Sequence, residues 1–142
     1  MKKILSLRTP MEHYTAHDCV VWCFDDRFTP LLTLFSKGLG NFDLVKVAGG
    51  AKALAGGPSP DRDFVMGEVK ASIKLHGTKR VILMTHRDCG KYGGSKAFTS
   101  GDAEKSYHGA QLTAAKQFVE SEVPGPQVET YFADTDGLYA TE

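Results

Sequence analysis

Cys23, Asp25 and Arg27 fall together in "CFDDRF" (residues 23–28), and His86 and Cys89 in "HRDCG" (residues 86–90). Imidazole and thiolate separated by two residues can be turned onto one ion, and a second sulfur from elsewhere makes a three-donor set. Two cysteines and one histidine suit Zn²⁺, and three protein donors leave a fourth position for water or substrate, as a catalytic rather than a structural zinc site requires. The third cysteine, Cys19, lies four residues before Cys23. Four residues of extended chain span roughly 13 Å, whereas a zinc–sulfur bond is about 2.3 Å, so Cys19 is assigned to the core.

Asp25 and Arg27, two apart, share a side if the chain stays extended, while Asp26 points away. A guanidinium can hold a carboxylate through two parallel hydrogen bonds and keep it ionised. Such a carboxylate serves a metal-activated water as a fixed acceptor, or binds the metal itself.

Those residues must be carried to one place by the elements around them. Four apolar, β-branched stretches read as buried strands: 19–24, 43–48, 80–85 and 127–133. Between them, helical spacing is found in "PLLTLFSKGLG", "DRDFVMGEVKASIKLHG" and "GDAEKSYHGAQLTAAKQFVESE", the last with Asp102 as a candidate cap. Residues 48–60 read as a Gly/Pro-rich loop, and residues 1–18 as an arm or partner-facing segment. Strand–helix alternation with nearly continuous apolar strands predicts an α/β domain: a mainly parallel sheet of four or five strands with helices on both faces. In the common order 2-1-3-4, the first and third strands are neighbours, and Cys23 and His86 end in one crevice at their carboxyl ends, where such sheets bind ligands.

The 142 residues suffice for one domain, 1–142, and not for two ordinary ones. Lys plus Arg and Asp plus Glu each number 17, which removes the positive excess that nucleic acid or an anionic membrane would call for. A small molecule is the expected partner. Ser6, Arg8 and Pro10 interrupt the apolar start, so no export signal is read, no stretch is long enough to span a membrane, and a cytoplasmic location is expected. Three cysteines, an odd and small number, argue for reduced thiols rather than a disulfide framework. A phosphate-binding loop is excluded because "CGKYGGSK" lacks the required glycine and lysine spacing, and a cysteine phosphatase because no arginine follows Cys89 suitably.

The two motifs, Cys23-Phe24-Asp25-Asp26-Arg27 and His86-Arg87-Asp88-Cys89-Gly90, resemble the paired C-x-D-x-R and H-x-x-C-G signatures of the β-class carbonic anhydrases. "DLVKVAGG" and "VETYFADTDGLY" are similar to that family's second strand with its glycine turn and to its last strand, so the likeness covers about residues 18–139. It implies Zn²⁺ held by Cys23, His86 and Cys89, and a reversible hydration of carbon dioxide to hydrogencarbonate by a zinc-bound hydroxide. In that role Asp25 orients the hydroxide and Arg27 holds Asp25; in some members the aspartate is instead the fourth zinc ligand. A homodimer or higher homo-oligomer is implied too.

The chain departs from the family pattern in three places. Val47-Ala48-Gly49-Gly50 stands for the usual Asn-Ala-Gly-Asn, Lys91-Tyr92-Gly93-Gly94 replaces small apolar residues after Cys89-Gly90, and the N-terminal arm is short. Two alternatives therefore stand beside carbonate chemistry: hydrolysis of a sulfur analogue, carbonyl sulfide or carbon disulfide, and a catalytically silent zinc-binding protein. Gly49, Gly50, Gly93 and Gly94 are expected in turns, Trp22, Phe24 and Phe28 in the core with Phe28 a candidate apolar wall, and His13, His17, His76 and His108 at the surface or satisfied in the core.

Overall fold

In the computed structural model, which describes residues 1–141, the strand β1 (Asp18–Cys23) is buried along its whole length. Cys19 and Val21 pack into one apolar cluster, and Val20 and Trp22 into another on the opposite face. A strand covered on both sides has no solvent face to mark with polar residues, which is why its sequence is a run rather than an alternation. The other strands are β2 (Phe42–Val47), β3 (Arg80–His86), β4 (Gln127–Asp134) and β5 (Gly137–Ala140). They lie in the order β2-β1-β3-β4-β5, with parallel pairing except for the antiparallel β4/β5 edge. The predicted order is thus observed, with the short hairpin strand added.

The helix α1 (Thr29–Ser36) covers one face through Leu32, with Phe28 beside it; α2 (Lys52–Ala55), α3 (Pro60–His76) and α4 (Gly101–Glu122) cover the other. The start of α3 is fixed by Ser59, whose Oγ accepts from the Arg62 N–H, and by Pro60 in the first turn, where its missing N–H costs nothing. Its end is fixed by Gly77 at φ 72°.

Four sequence expectations need correction. The cap of α4 is Ser100, accepting from the Ala103 N–H at 3.1 Å, and not Asp102. The loop 48–60 contains α2 and ends as α3 begins. The arm stops short of residue 18: Asp18 is a buried sheet residue that accepts from Arg80 Nε at 2.6 Å. Phe24 is not core but 62% exposed, because β1 has ended at Cys23 and the chain is turning away from the sheet. Among the described residues, no helix is long and apolar enough to cross a membrane.

Gly50 is where two strands constrain a turn most tightly. At φ +56° its α-carbon sits so close to β3 that an added β-carbon would lie 2.3 Å from the Met84 carbonyl oxygen and 3.2 Å from the Cys23 nitrogen. That same carbonyl accepts from the Ala51 N–H at 3.0 Å, so it is not free to move. Gly50→Ala is expected to cost on the order of 3 kcal/mol of stability, from left-handed strain and overpacking together. Denaturant unfolding would measure it; a loss below about 0.5 kcal/mol, the size of an ordinary surface change, would mean the turn can relax.

Candidate metal centre

Cys23 is the last residue of β1, His86 the last of β3, and Cys89 closes the turn that follows β3. One ligand atom from each lies within 4.8 Å of the other two, and all three residues are buried. Cys19, in β1 but outside this group, is buried in the core as expected.

His86 is set for ligation by its other nitrogen. Its Nδ1 lies 2.7 Å from the Arg87 carbonyl oxygen, which can only accept, so Nδ1 carries the proton and the neutral ring turns the Nε2 lone pair towards the thiols. That Nε2 is buried and has no hydrogen-bond partner among the described residues. An orphaned lone pair in an apolar setting is costly, and a cation between Nε2 and the sulfurs removes the cost.

The thiols are also prepared. The hydrogen bond with Cys89 holds the Cys23 thiol well below the usual thiol range despite burial, and the Gly49 N–H points at the same sulfur at 3.3 Å. Cys23 beside it, together with burial, pushes the Cys89 thiol upward. A divalent cation between the two sulfurs would take both as thiolates. The donor set fits zinc.

Asp25 and Arg27 meet beside this group, though not by the extended geometry expected of them. Asp25 caps a 3₁₀ turn, Asp26–Phe28, and accepts from the backbone N–H of Arg27 at 3.1 Å. The turn brings the guanidinium back onto the carboxylate, with Nε 3.0 Å from Oδ1 and Nη2 2.7 Å from Oδ2. This fork holds the Asp25 carboxyl down to about 2. Asp25 Oδ2 lies 4.0 Å from His86 Nε2, so the ionised carboxylate borders the ligand cluster. Asp26 is exposed and takes no part.

Residues 14–140 match the model of the family described as "Putative carbonic anhydrase". The chain belongs to that carbonic anhydrase family. An uncharacterised protein of Rickettsia conorii is 26% identical over 152 residues, covering 96% of this chain and 80% of its own. The fold is that of solved β-carbonic anhydrases: isoform I from Trichomonas vaginalis superposes with a TM-score of 0.65 at 16% identity, covering 96% of this chain and 87% of the other. A carbon disulfide hydrolase in its apo form superposes at 0.59 and 17% identity, covering 92% and 81%.

In this member of the carbonic anhydrase family the altered loops have visible uses. Gly49 and Gly50 turn the chain past Cys23, and Tyr92 packs its buried ring against the two cysteines and Phe98 rather than standing free in a loop. Phe28 packs against His86 with ring centroids 4.4 Å apart and the rings tilted by 40°, and it lines a cavity of about 540 Å³ together with Arg27, Leu31 and Asp88. Phe28 is thus buried, as expected of a core residue, and also borders this cavity.

Sequence reasoning missed four charged residues in this neighbourhood, Arg87, Asp88, Glu104 and Asp134. Arg87 makes a two-point ion pair with Asp134, at 2.9 and 2.6 Å, and reaches Glu104 at 3.0 Å. Glu104, only 1% exposed, also accepts from the Asp88 N–H at 2.7 Å and the Ser95 hydroxyl at 2.7 Å. Arg87 and Asp88 occupy the unspecified positions of H-x-x-C, and Glu104 is one of two acidic residues in the first turn of α4, so only its burial singles it out. His108 is a further correction: both ring nitrogens are buried without a partner among the described residues, and burial holds it down to about 4, hence neutral.

Proposed function

We propose that this protein is a zinc hydro-lyase that interconverts carbon dioxide and hydrogencarbonate, with the ion held by Cys23, His86 and Cys89. The supporting observation is the meeting of two distant motifs: a buried three-donor cluster and, 4.0 Å from its imidazole, a carboxylate held ionised by its own arginine. Bound there, the ion would supply the Lewis acidity that lowers the pKa of water to about 7, making a nucleophile at neutral pH.

The chain's own residues supply the rest. Cys23 and Cys89 would ligate as thiolates, and the Arg87 carbonyl keeps the His86 ring in the ligating tautomer. Asp25, ionised at every physiological pH, can only accept; it takes the hydrogen bond of the attacking oxygen and turns the lone pair towards the substrate carbon. Arg27 keeps that carboxylate from swinging. Phe28 and Leu31 offer an apolar approach to a substrate that carries no charge. Assembly as a homodimer belongs to the same reading, and Ile4, Leu5 and Leu7 of the arm are largely exposed apolar residues available to a second copy.

Stopped-flow measurement on zinc-loaded protein should show carbon dioxide hydration well above buffer at alkaline pH. Full zinc occupancy with no hydration sinks the reading. Sulfide release from carbonyl sulfide or carbon disulfide in that case would move the substrate to the sulfur analogues; inertness towards all three would leave a zinc-binding protein without turnover.

A further inference from the structure

Arg27 is gripped from both sides. One edge of its guanidinium engages Asp25, and the other reaches Asp88, with Nη1 2.9 Å from Asp88 Oδ2 and Nη2 3.1 Å from the Asp88 carbonyl oxygen. Asp88 in turn is built into its place. It adopts a left-handed backbone at φ 56°, the one non-glycine residue to do so among those described. Such a conformation in a residue with a β-carbon persists only where the surroundings enforce it. Here the Ser95 N–H donates to Asp88 Oδ1 at 2.8 Å, and buried Glu104 accepts from the Asp88 N–H at 2.7 Å. Gly94 contributes by what it lacks: a β-carbon there would lie 2.9 Å from Asp88 Oδ1, with φ at +73°.

We propose that Asp88 is a positioning residue for the reaction, anchoring the outer edge of Arg27 so that Arg27 can hold Asp25 at the metal cluster. The need for an anchor follows from exposure. The Arg27 side chain is 58% exposed, so the contact with Asp25 alone would leave a long, hydrated side chain with several rotamers to lose. A second carboxylate on the opposite edge fixes the plane of the fork. Because Asp88 hangs from the turn between His86 and Cys89, the anchor moves with the metal ligands, and the dyad and the cluster are registered to one another. The inference rests on the hydration reading only for its kinetic consequence; the mechanical claim stands apart.

Asp88 is half-exposed, so Asp88→Ala should leave the core intact while straining its left-handed turn, and Asp88→Asn, which tolerates that backbone, is the control for the strain. In the zinc-loaded variant, the Arg27 Nε–H observed by ¹⁵N NMR is expected to exchange with solvent about tenfold faster than in the wild type. In an active enzyme kcat/KM should fall about 100-fold, carried by kcat, the loss typical of a catalytic group displaced by about 1 Å. Asp88→Asn, which tolerates the left-handed backbone but offers one side-chain oxygen for two donors, should fall between. Wild-type exchange of the Arg27 Nε–H in Asp88→Ala overturns the proposal whatever the activity. Faster exchange with unchanged kcat/KM overturns it too, since Asp88 would then hold Arg27 without serving the reaction. If the wild type hydrates nothing, the hydration reading fails by itself, and the exchange rate still decides whether Asp88 anchors Arg27.

Discussion

Cys89→Ser is expected to abolish stoichiometric zinc and, with it, any hydration of carbon dioxide. A serine hydroxyl does not ionise near neutral pH and is a poor zinc ligand, so the site falls from three donors to two. The loss should exceed the roughly 10- to 100-fold penalty typical of removing a group that merely supports a ligand. Elemental analysis after dialysis against a weak chelator reads it directly. Stability offers a second readout, because an ion that binds only the folded state stabilises it by mass action. Adding a strong chelator should therefore lower the unfolding temperature of the wild type and leave that of Cys89→Ser unchanged. Cys19→Ala is the control. Its thiol is equally buried but lies outside the cluster, and burial pushes it up to about 11, so its removal should cost stability and no zinc. A Cys89→Ser protein that keeps a full equivalent of zinc would remove the basis for the metal centre.

That the cluster was legible at all reflects how parallel sheets use their ends. The strands 19–24 and 80–85 could be found from apolar runs, and once they are neighbours, their carboxyl ends must share a crevice. Zinc spacing in H-x-x-C and the gap between Cys19 and Cys23 then selected the candidate ligands. What stayed hidden had no local signature. The Asp25–Arg27 contact was expected from alternation along an extended chain; it forms instead because Asp25 caps a 3₁₀ turn, and two residues apart is short enough for either geometry. Phe24 reads as a strand residue from its composition, yet the chain leaves the sheet one residue earlier. Asp88, Glu104 and Arg87 are ordinary charges until the fold brings residues 16 and 47 positions away from the metal turn onto it. The buried carboxylate of Glu104 accepts from three groups, the Arg87 guanidinium, the Asp88 N–H and the Ser95 hydroxyl, and no propensity scale records that.

Asp25→Asn should separate binding from turnover. The amide keeps the size of the side chain and can still cap the 3₁₀ turn, while Arg27 retains Asp88, so fold and zinc content are expected to match the wild type. What changes is hydrogen-bond polarity: one oxygen becomes an NH₂, which faces donors on Arg27 and can no longer be relied on to accept from the attacking oxygen. A fall in kcat/KM of about 100- to 10,000-fold is expected, the range for losing a positioned acid–base group. The pH profile sharpens the test. Asp25 is held down to about 2, so its folded value lies below that of the unfolded chain. Its ion pair with Arg27 therefore contributes to stability above the ordinary carboxylate pKa of about 3.9 and loses that contribution as pH falls towards 2. Between pH 5 and 9 the charge on Asp25 is constant, and any inflection of wild-type activity there belongs to another group. Asp25→Asn should hence lower the whole profile, and any shift of its midpoint should be downward, because a negative charge beside the ionising group has been removed. Pairing it with Arg27→Ala in a double-mutant cycle should give strongly non-additive losses, because the two side chains act as a unit. Wild-type turnover in Asp25→Asn would reduce the dyad to an ion pair beside a turn.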